Sequence, residues 1–402
     1  MIVHFVSNQS ETAGGVPRSS RELARALAVS GEDVELWTTD FSFVPELEAG
    51  SEAGSSSDRG LVTKSFALSS PRALLRSRGL LAELRRRRSE IQGLHVHGVW
   101  FPAGSQLMKE ARRLGIPYVI RPAGMLAGEA LRLHGLKKRW YWRLFEKHNV
   151  EGAAALQYSC DREMESDDSA CRPKGPERFS LPNGLSPEFL AHLEGPPPSE
   201  SEVLFEGRDR KSAAPFPLAP RIGTVGRIDP MKRFDRLVDA ARLLRADWPS
   251  LSLEIAGADT EGHTDELVRG IDASRMASHV RLLGHLDLPQ KVGFLRGLDV
   301  FVCSSDFESF GIAILEALAL GIPAVVTSGV AISAELDRCQ AAIVVDPEPK
   351  AIADGVHRIL RDRDLGRAIS RNGRAFSKKF RWREIAGRLR ERYETIFPMR
   401  KF

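Results

Sequence analysis

The sequence predicts an α/β protein in two halves, each built on a mainly parallel sheet. Three observations predict it. Short β-branched runs alternate with helical stretches through the first half of the chain. The alternation breaks in LEGPPPSESEVLFEGRDRKSAAPFPLAP (193–220), which is rich in Pro, Ser and charge and has little periodicity. It then restarts and runs almost to the C-terminus. Strands alternating with helices make βα units around a parallel sheet. The 402 residues suit two or three domains at roughly 150 residues each.

In the first half, IVHFVS (2–7) reads as a strand and VPRSSRELARALAVSG (16–31) as a helix stopped by Gly31. DVELWTT (33–39), LHVHG (94–98), IPYVIR (116–121) and AALQYS (154–159) read as further strands. In the second half the strands are RIGTVG (221–226), LSLEIAG (251–257), HVRLLG (279–284), DVFVCS (299–304) and PAVVTS (323–328). The last helix, RWREIAGRLRERYETIF (381–397), is amphipathic, with Trp382, Ile385, Leu389, Tyr393 and Ile396 at three-or-four spacing. The expected division is 1–192 for the first domain, 193–219 for a linker or excursion, 220–380 for the second domain and 381–402 for the final helix. Two α/β halves around a linker make a cleft, and ligands in such folds sit beyond the carboxyl ends of the strands.

Composition narrows the class. Hydrophobic residues make up 42% and charged residues 28%, as in an ordinary globular protein. The four cysteines form no C-x-x-C, so neither a zinc site nor a disulfide framework is signalled, and a reducing cytoplasm is the simplest home. MIVHFVSNQS reads as a strand rather than a signal peptide, and no run of about 20 apolar residues exists. The net charge of +5 is unevenly placed: residues 71–148 hold 17 Lys and Arg against 5 Asp and Glu. GLKKRWYWRLFEKH (135–148) mixes those cations with Trp140, Tyr141, Trp142 and Phe145. Such a mixture suits an anionic membrane surface or acceptor as well as a solvated helix face with its aromatics in the core. No base-reading motif is present, which argues against nucleic acid.

Three stretches carry chemistry. Gly14 and Gly15 lie between the first strand and its helix, where backbone can approach a ligand and the helix N-terminus favours anions. The pattern is neither G-x-G-x-x-G nor G-x-x-x-x-G-K-[ST], which weakens dehydrogenase and P-loop readings. In RIGTVGRIDPMKRF, Arg227 and Lys232 bracket a short loop after a strand, two cations placed to neutralise a diphosphate. In DFESFGIAILEALALG, Glu308 precedes a helix whose first N–H groups belong to Ser309, Phe310 and Gly311, and Glu316 lies two turns in. An acid inside so apolar a helix needs a partner, either the paired hydroxyls of a ribose or a buried Arg.

E-x7-E in ESFGIAILE, GRIDPMK upstream, GGV near the start, SLPNGLS (180–186) and the FRWREIA lead into the last helix together resemble the family 4 retaining glycosyltransferases of GT-B fold. The likeness runs almost end to end. It implies two Rossmann-like domains facing each other across a cleft, with the last helix crossing back onto the first domain and SLPNGLS as the strand leading out of it. It also implies roles. Arg227 and Lys232 hold the pyrophosphate of a nucleotide-sugar donor, UDP- or GDP-linked. Glu316 binds the ribose, and Glu308 with the N–H groups of Phe310 and Gly311 holds the donor sugar. Gly15 approaches the diphosphate from the other domain, and backbone near Leu283 and His285 meets the base. The acceptor is a polysaccharide- or lipid-linked glycan, and no metal or other cofactor is required.

Glycosidases that retain configuration use two carboxylates about 5 Å apart, one as nucleophile. Glu308 and Glu316 superficially fit, but the resemblance assigns Glu316 to ribose and implies front-face attack, the leaving phosphate taking the acceptor's proton. The D-x-D at Asp362–Asp364 falls between two helices far from these motifs and reads as an exposed turn. Two departures stand out. Many members carry a His where PYVIRPAGML places Ala123, leaving His97 and Arg121 as acceptor-side candidates, and Arg233 replaces a frequent Gly at what reads as a helical position. Ala123 also motivates a rival reading, a catalytically silent module that binds a nucleotide sugar or docks on a membrane. A GT-B epimerase or phosphorylase is a further alternative. The expected location is cytoplasmic or peripheral at the inner face of a membrane.

Overall fold

The computed structural model describes residues 1–9, 15–40, 55–58, 60–128, 135–168, 171–194, 219–259 and 262–397. They form two compact units: Met1–Gly184 with Arg381–Phe402, and Leu185–Phe380.

The first unit is an eight-stranded sheet. Its strands are β1 (Ile2–Val6), β2 (Val34–Thr39), β3 (Ser55–Asp58), β4 (Leu61–Phe66), β5 (Gly93–His97), β6 (Tyr118–Arg121), β7 (Ala155–Tyr158) and β8 (Glu177–Ser180). Their order is β3-β4-β2-β1-β5-β6-β7-β8, parallel throughout except for the β3–β4 pair. Sequence reading had not marked β3, β4 or β8. β4 is half-buried and carries Thr63, Lys64 and Ser65, so its apolar signal is weak. SLPNGLS is not a strand: β8 ends at Ser180, and Pro182 has no N–H to extend a ladder.

The helix Trp382–Ile396 belongs to this unit. Trp382, Ile385, Leu389 and Tyr393 are buried among Leu23, Leu27, Val34 and Leu36. Its C-cap Phe397 packs so tightly over Gly93 that a methyl group there would lie 2.6 Å from the ring.

The second unit has six parallel strands: β9 (Arg221–Val225), β10 (Ser252–Ala256), β11 (Val280–Gly284), β12 (Val300–Cys303), β13 (Ala324–Thr327) and β14 (Ile343–Val345). Their order is β11-β10-β9-β12-β13-β14. That is the doubly wound order, which reverses direction between β9 and β12, and ligands collect beyond the carboxyl ends at such a switch point. The loops after β9 and β12 leave the sheet at that switch point.

The boundary expected after residue 192 falls instead after Gly184. The helix Pro187–Glu194 packs on the helix Leu288–Arg296 of the second unit. Arg296 donates to the His192 carbonyl at 2.7 Å, and Lys291 stands 5.8 Å above the fully buried Phe189 ring. The Pro-rich composition marks where helical periodicity ends, not where one core gives way to the next. The rest of that excursion, 195–218, lies outside the described residues. Among the described residues no helix is long and apolar enough to cross a membrane.

Candidate functional site

At the β9–β12 switch point two loops are laced together. β9 runs out through Gly226, whose carbonyl passes so close to Gly257 that a Cβ there would lie 1.8 Å away; Gly257 also has φ 157°, so only glycine fits. Arg227 follows, 40% exposed, with Asp229 at 3.5 Å. Asp229 then caps the short turn Pro230–Lys232 through the Met231 N–H at 2.8 Å. From the β12 side, the Asp306 N–H bonds the Met231 carbonyl and the Ser304 hydroxyl bonds the Lys232 carbonyl. Arg236, buried in the following helix, donates to the Ser304 carbonyl at 3.0 Å and to Asp306 at 2.7 Å.

This lacing brings Lys232 onto Glu308: its ammonium is bonded to Glu308 Oε2. Burial works against the ammonium, but the Glu308 carboxylate outweighs it, and the Lys232 pKa is raised. Lys232 and Glu308, 76 residues apart in the chain, therefore stand with Arg227 at one sheet end. The Glu308 backbone is itself fixed, bridging to Val330 by its carbonyl and the Ala331 N–H at 2.8 Å.

Ser309, Phe310 and Gly311 lead into the helix Ile312–Ala319. Gly311 has φ 88°, and a Cβ there would meet Ile314 at 2.7 Å. The first N–H groups of a helix have no intrahelical acceptor, so the left-handed turn at Gly311 aims this helix start along the carboxyl end of β12. Phe310 itself is buried against Phe380, ring centroids 5.7 Å apart.

Glu316 requires a correction. It is 3% exposed, and Lys291 of the helix Leu288–Arg296 donates to its Oε1 at 2.5 Å. The chain itself therefore supplies a partner, and it is a lysine rather than an arginine. Nothing in the sequence near Lys291 announced it, because the two helices meet only through the fold. Leu283 and His285 flank Gly284 at the end of edge strand β11, half-buried and exposed respectively.

Arg233 also departs from expectation. It does not sit in a helix but just before one, at φ 51°. A left-handed backbone favours glycine, which accounts for the family's residue there. Here the Arg233 guanidinium clasps Asp235 and Asp306, each at 2.9 Å. The D-x-D motif is structural: exposed Asp362 caps the helix Arg363–Ser377 through the Asp364 and Leu365 N–H groups.

In the first unit, Gly15 opens the helix Gly15–Val29 and is exposed, with nothing within 4 Å of the position a Cβ would take. Gly14 lies outside the described residues. His97 and Arg121, taken as acceptor-side candidates, are not on a surface: they are 2% and 1% exposed. Side chains in register on parallel strands share a face, and the pairs His4–His95 and His97–Arg121 put all four on the face covered by the last helix. His4 Nδ1 and His97 Nε2 are 3.0 Å apart, and the Tyr393 hydroxyl joins His4 Nε2 at 3.1 Å to His95 Nδ1 at 2.5 Å. Burial depresses all three histidines, His4 to about 3 and the others well below their ordinary value, so each is neutral.

These rings lie close enough to resemble a metal-ligand set. Their geometry is that of a relay instead. His95 and His97 are stacked, planes 12° apart at 4.4 Å, so their in-plane lone pairs do not converge on one point. The Arg121 charge bears on all three rings and disfavours a further cation. Arg121 donates to Ser19 at 3.2 Å and to Asn183.

Around this layer, the loops leaving β5 and β6 hold left-handed residues that are not glycine: Trp100 at φ 75° and Ala123 at φ 53°. Each is held by a buried carboxylate. Glu146 accepts from the Trp100 N–H at 2.9 Å, and Glu163 from the Gly124 N–H at 2.5 Å and the Ser159 N–H at 2.6 Å. Strained backbone of this kind persists only where surroundings impose it and clusters at functional sites. Glu163→Gln loses one acceptor oxygen and leaves a buried N–H unbonded. We expect it to raise the acceptor KM at least tenfold with donor KM unchanged; equal effects on both would mean a general loss of structure.

Two family models match the chain: glycosyl transferases group 1 over residues 207–376, and a glycosyl transferase 4-like domain over residues 14–166. The chain belongs to the family 4 glycosyltransferases. Phosphatidyl-myo-inositol mannosyltransferase of Mycobacterium tuberculosis is 29% identical over 231 residues, 55% of this chain and 55% of that one. The match thus spans about half the length of that relative. A D-inositol 3-phosphate glycosyltransferase of Arthrobacter sp. is 26% identical over 413 residues, covering 96% of this chain and 91% of its own. Among solved structures, sucrose-phosphate synthase of Thermosynechococcus elongatus superposes with a TM-score of 0.73 at 17% identity, over 98% of this chain and 99% of that one. The Anabaena protein HepE, solved with UDP and glucose, gives 0.72 at 15% over the same shares. These likenesses identify the GT-B fold. Within this family 4 glycosyltransferase, the Lys232–Glu308 pair and Arg227 occupy the sheet end where a doubly wound unit receives its ligand.

Proposed function

We propose that this chain transfers a sugar from a nucleoside-diphosphate sugar to a hydroxyl of a glycan or lipid-linked acceptor, with retention of configuration and without a metal. The observation that carries this reading is the placement of Arg227, Lys232 and Glu308 together at the β9–β12 switch point. Cleavage of the bond from sugar C1 to phosphate builds positive charge on the sugar and negative charge on the leaving diphosphate. Arg227 and Lys232 stabilise the latter where it develops. An ammonium has three donors, so Lys232 can keep Glu308 while serving a phosphate oxygen. Glu308, thus fixed, accepts from a sugar hydroxyl, and the N–H groups of Phe310 and Gly311 take further sugar oxygens.

Retention by a covalent intermediate would need a second free carboxylate beside Glu308. Glu316 is a poor choice, since it is buried and bonded to Lys291. This favours front-face attack, in which the leaving phosphate oxygen takes the proton of the acceptor hydroxyl. Glu316 keeps its proposed ribose role, with Lys291 holding one oxygen and orienting the other. Leu283 and His285 flank the nucleobase. The inositol-bearing substrates named for the two relatives favour a polar cyclic or lipid-linked acceptor.

The test is a panel of nucleotide sugars read by thermal shift and by release of nucleoside diphosphate. A ligand at 100 times its Kd stabilises the fold by about 2.7 kcal/mol. Stabilisation with release supports a transferase. Stabilisation without release, with every acceptor class tried, supports the silent module instead.

A further inference from the structure

We infer that the helical segment Gly135–Glu151 docks this protein on a bilayer surface rich in anionic lipid. The segment runs as the helix Gly135–Tyr141, a π-helical stretch Trp142–Glu146 and the helix Lys147–Glu151. Its inward face is settled: Trp142, Glu146, Asn149 and Val150 are buried. Between the two inward positions Trp142 and Glu146, three consecutive residues face out: Arg143, Leu144 and Phe145.

The outward face is unusual for solvent. Trp140 is 65% exposed, Leu144 62% and Phe145 49%. Seven large apolar side chains are this exposed among the described residues, and three of them stand here within six positions. Isolated exposed apolar groups need no explanation, but a cluster marks an interaction site. Interleaved with them are exposed Arg139, Arg143 and Lys147, for which no described carboxylate is an ion-pair partner. The only acid between residues 138 and 148 is Glu146, which is turned inward.

Apolar tips ringed by exposed cations match an interface of acyl chains and anionic headgroups. A protein partner would need a concave apolar receptor lined with acids, whereas a bilayer offers both components over any area. The inference stands independently of the proposed transfer reaction.

The test is co-sedimentation of the full chain with phosphatidylcholine vesicles, with and without phosphatidylglycerol. Binding to the anionic vesicles alone, weakening as salt rises, is expected. Two triple variants follow, Arg139→Ser/Arg143→Ser/Lys147→Ser and Trp140→Ser/Leu144→Ser/Phe145→Ser, with folding checked by circular dichroism. Each should bind at least tenfold more weakly. Both change only exposed side chains, and the first removes no packing, so it remains informative should the second misfold. Three results overturn the inference: no vesicle binding by the parent, equal binding to neutral vesicles, or variants that bind as the parent does. A parent that self-associates through this face, with monomeric variants and no lipid binding, overturns it likewise.

Discussion

Lys232→Ala and Glu308→Ala are each expected to lower the transfer rate by about 10²- to 10³-fold, the cost of removing one preorganised group that meets developing charge. Fold should survive in both. Lys232 and Glu308 side chains are 23% and 19% exposed, so solvent reaches whichever partner is left. Their surroundings also stay laced, because Ser304, Asp306 and Arg236 bond backbone and carboxylate rather than the ammonium. The double variant should cost little more than the worse single one, since groups that act as a unit are not additive. Initial rates at saturating donor, beside melting curves, check this. Single variants that keep a tenth or more of the parent rate would refute the site.

Acid should begin to destabilise the first unit already below about pH 6.5. His4, His95 and His97 are neutral in the fold because burial depresses their pKa values, His4 to about 3. In the unfolded chain each titrates near 6.5. Below that pH the unfolded state takes up protons that the native state refuses, so stability is full above 6.5 and falls as pH falls. The slope is about 1.4 kcal/mol per pH unit for each histidine, roughly 4 for the three together. Against a total stability of about 5–15 kcal/mol, about one to four pH units suffice.

Between about 6.5 and 4.5 the histidines act against the raised carboxylates alone. The lowered carboxylates Glu35, Glu83 and Glu110 begin to contribute only below that window, whereas burial raises Glu146, Glu163 and Asp167, which take up protons in the fold and offset part of the slope. Urea midpoints across this range should drop steeply, and His95→Phe, which preserves ring stacking, should lessen the slope by about a third. A flat profile would mean the rings are protonated in the fold.

The chain's own order of residues determined a good deal. Alternating β-branched and amphipathic runs specify βα units because burial on both faces of a parallel sheet demands them, and the ten β-branched runs read as strands stand where the fold has them. GRIDPMK and ESFGIAILE were legible for a related reason: a loop that must carry cations, and an acid in an apolar helix, each break the local pattern. Such breaks show in one dimension.

What tertiary structure alone decided are the partners. Lys291 reaches Glu316 from another helix, and Tyr393 threads between His4 and His95 from 389 and 298 residues away. The switch point that gathers Arg227, Lys232 and Glu308 depends on strand order, which no local pattern encodes. Arg233 reads as a minor substitution and Ala123 as a missing histidine, and only their left-handed backbone angles show what each position demands. His97 and Arg121, polar residues at strand ends, read as acceptor-side candidates, and only the fold, which lays the first and last helices over that face, makes them interior. Local sequence sets what a segment is; the energy of a buried charge or ring depends on what the fold brings against it.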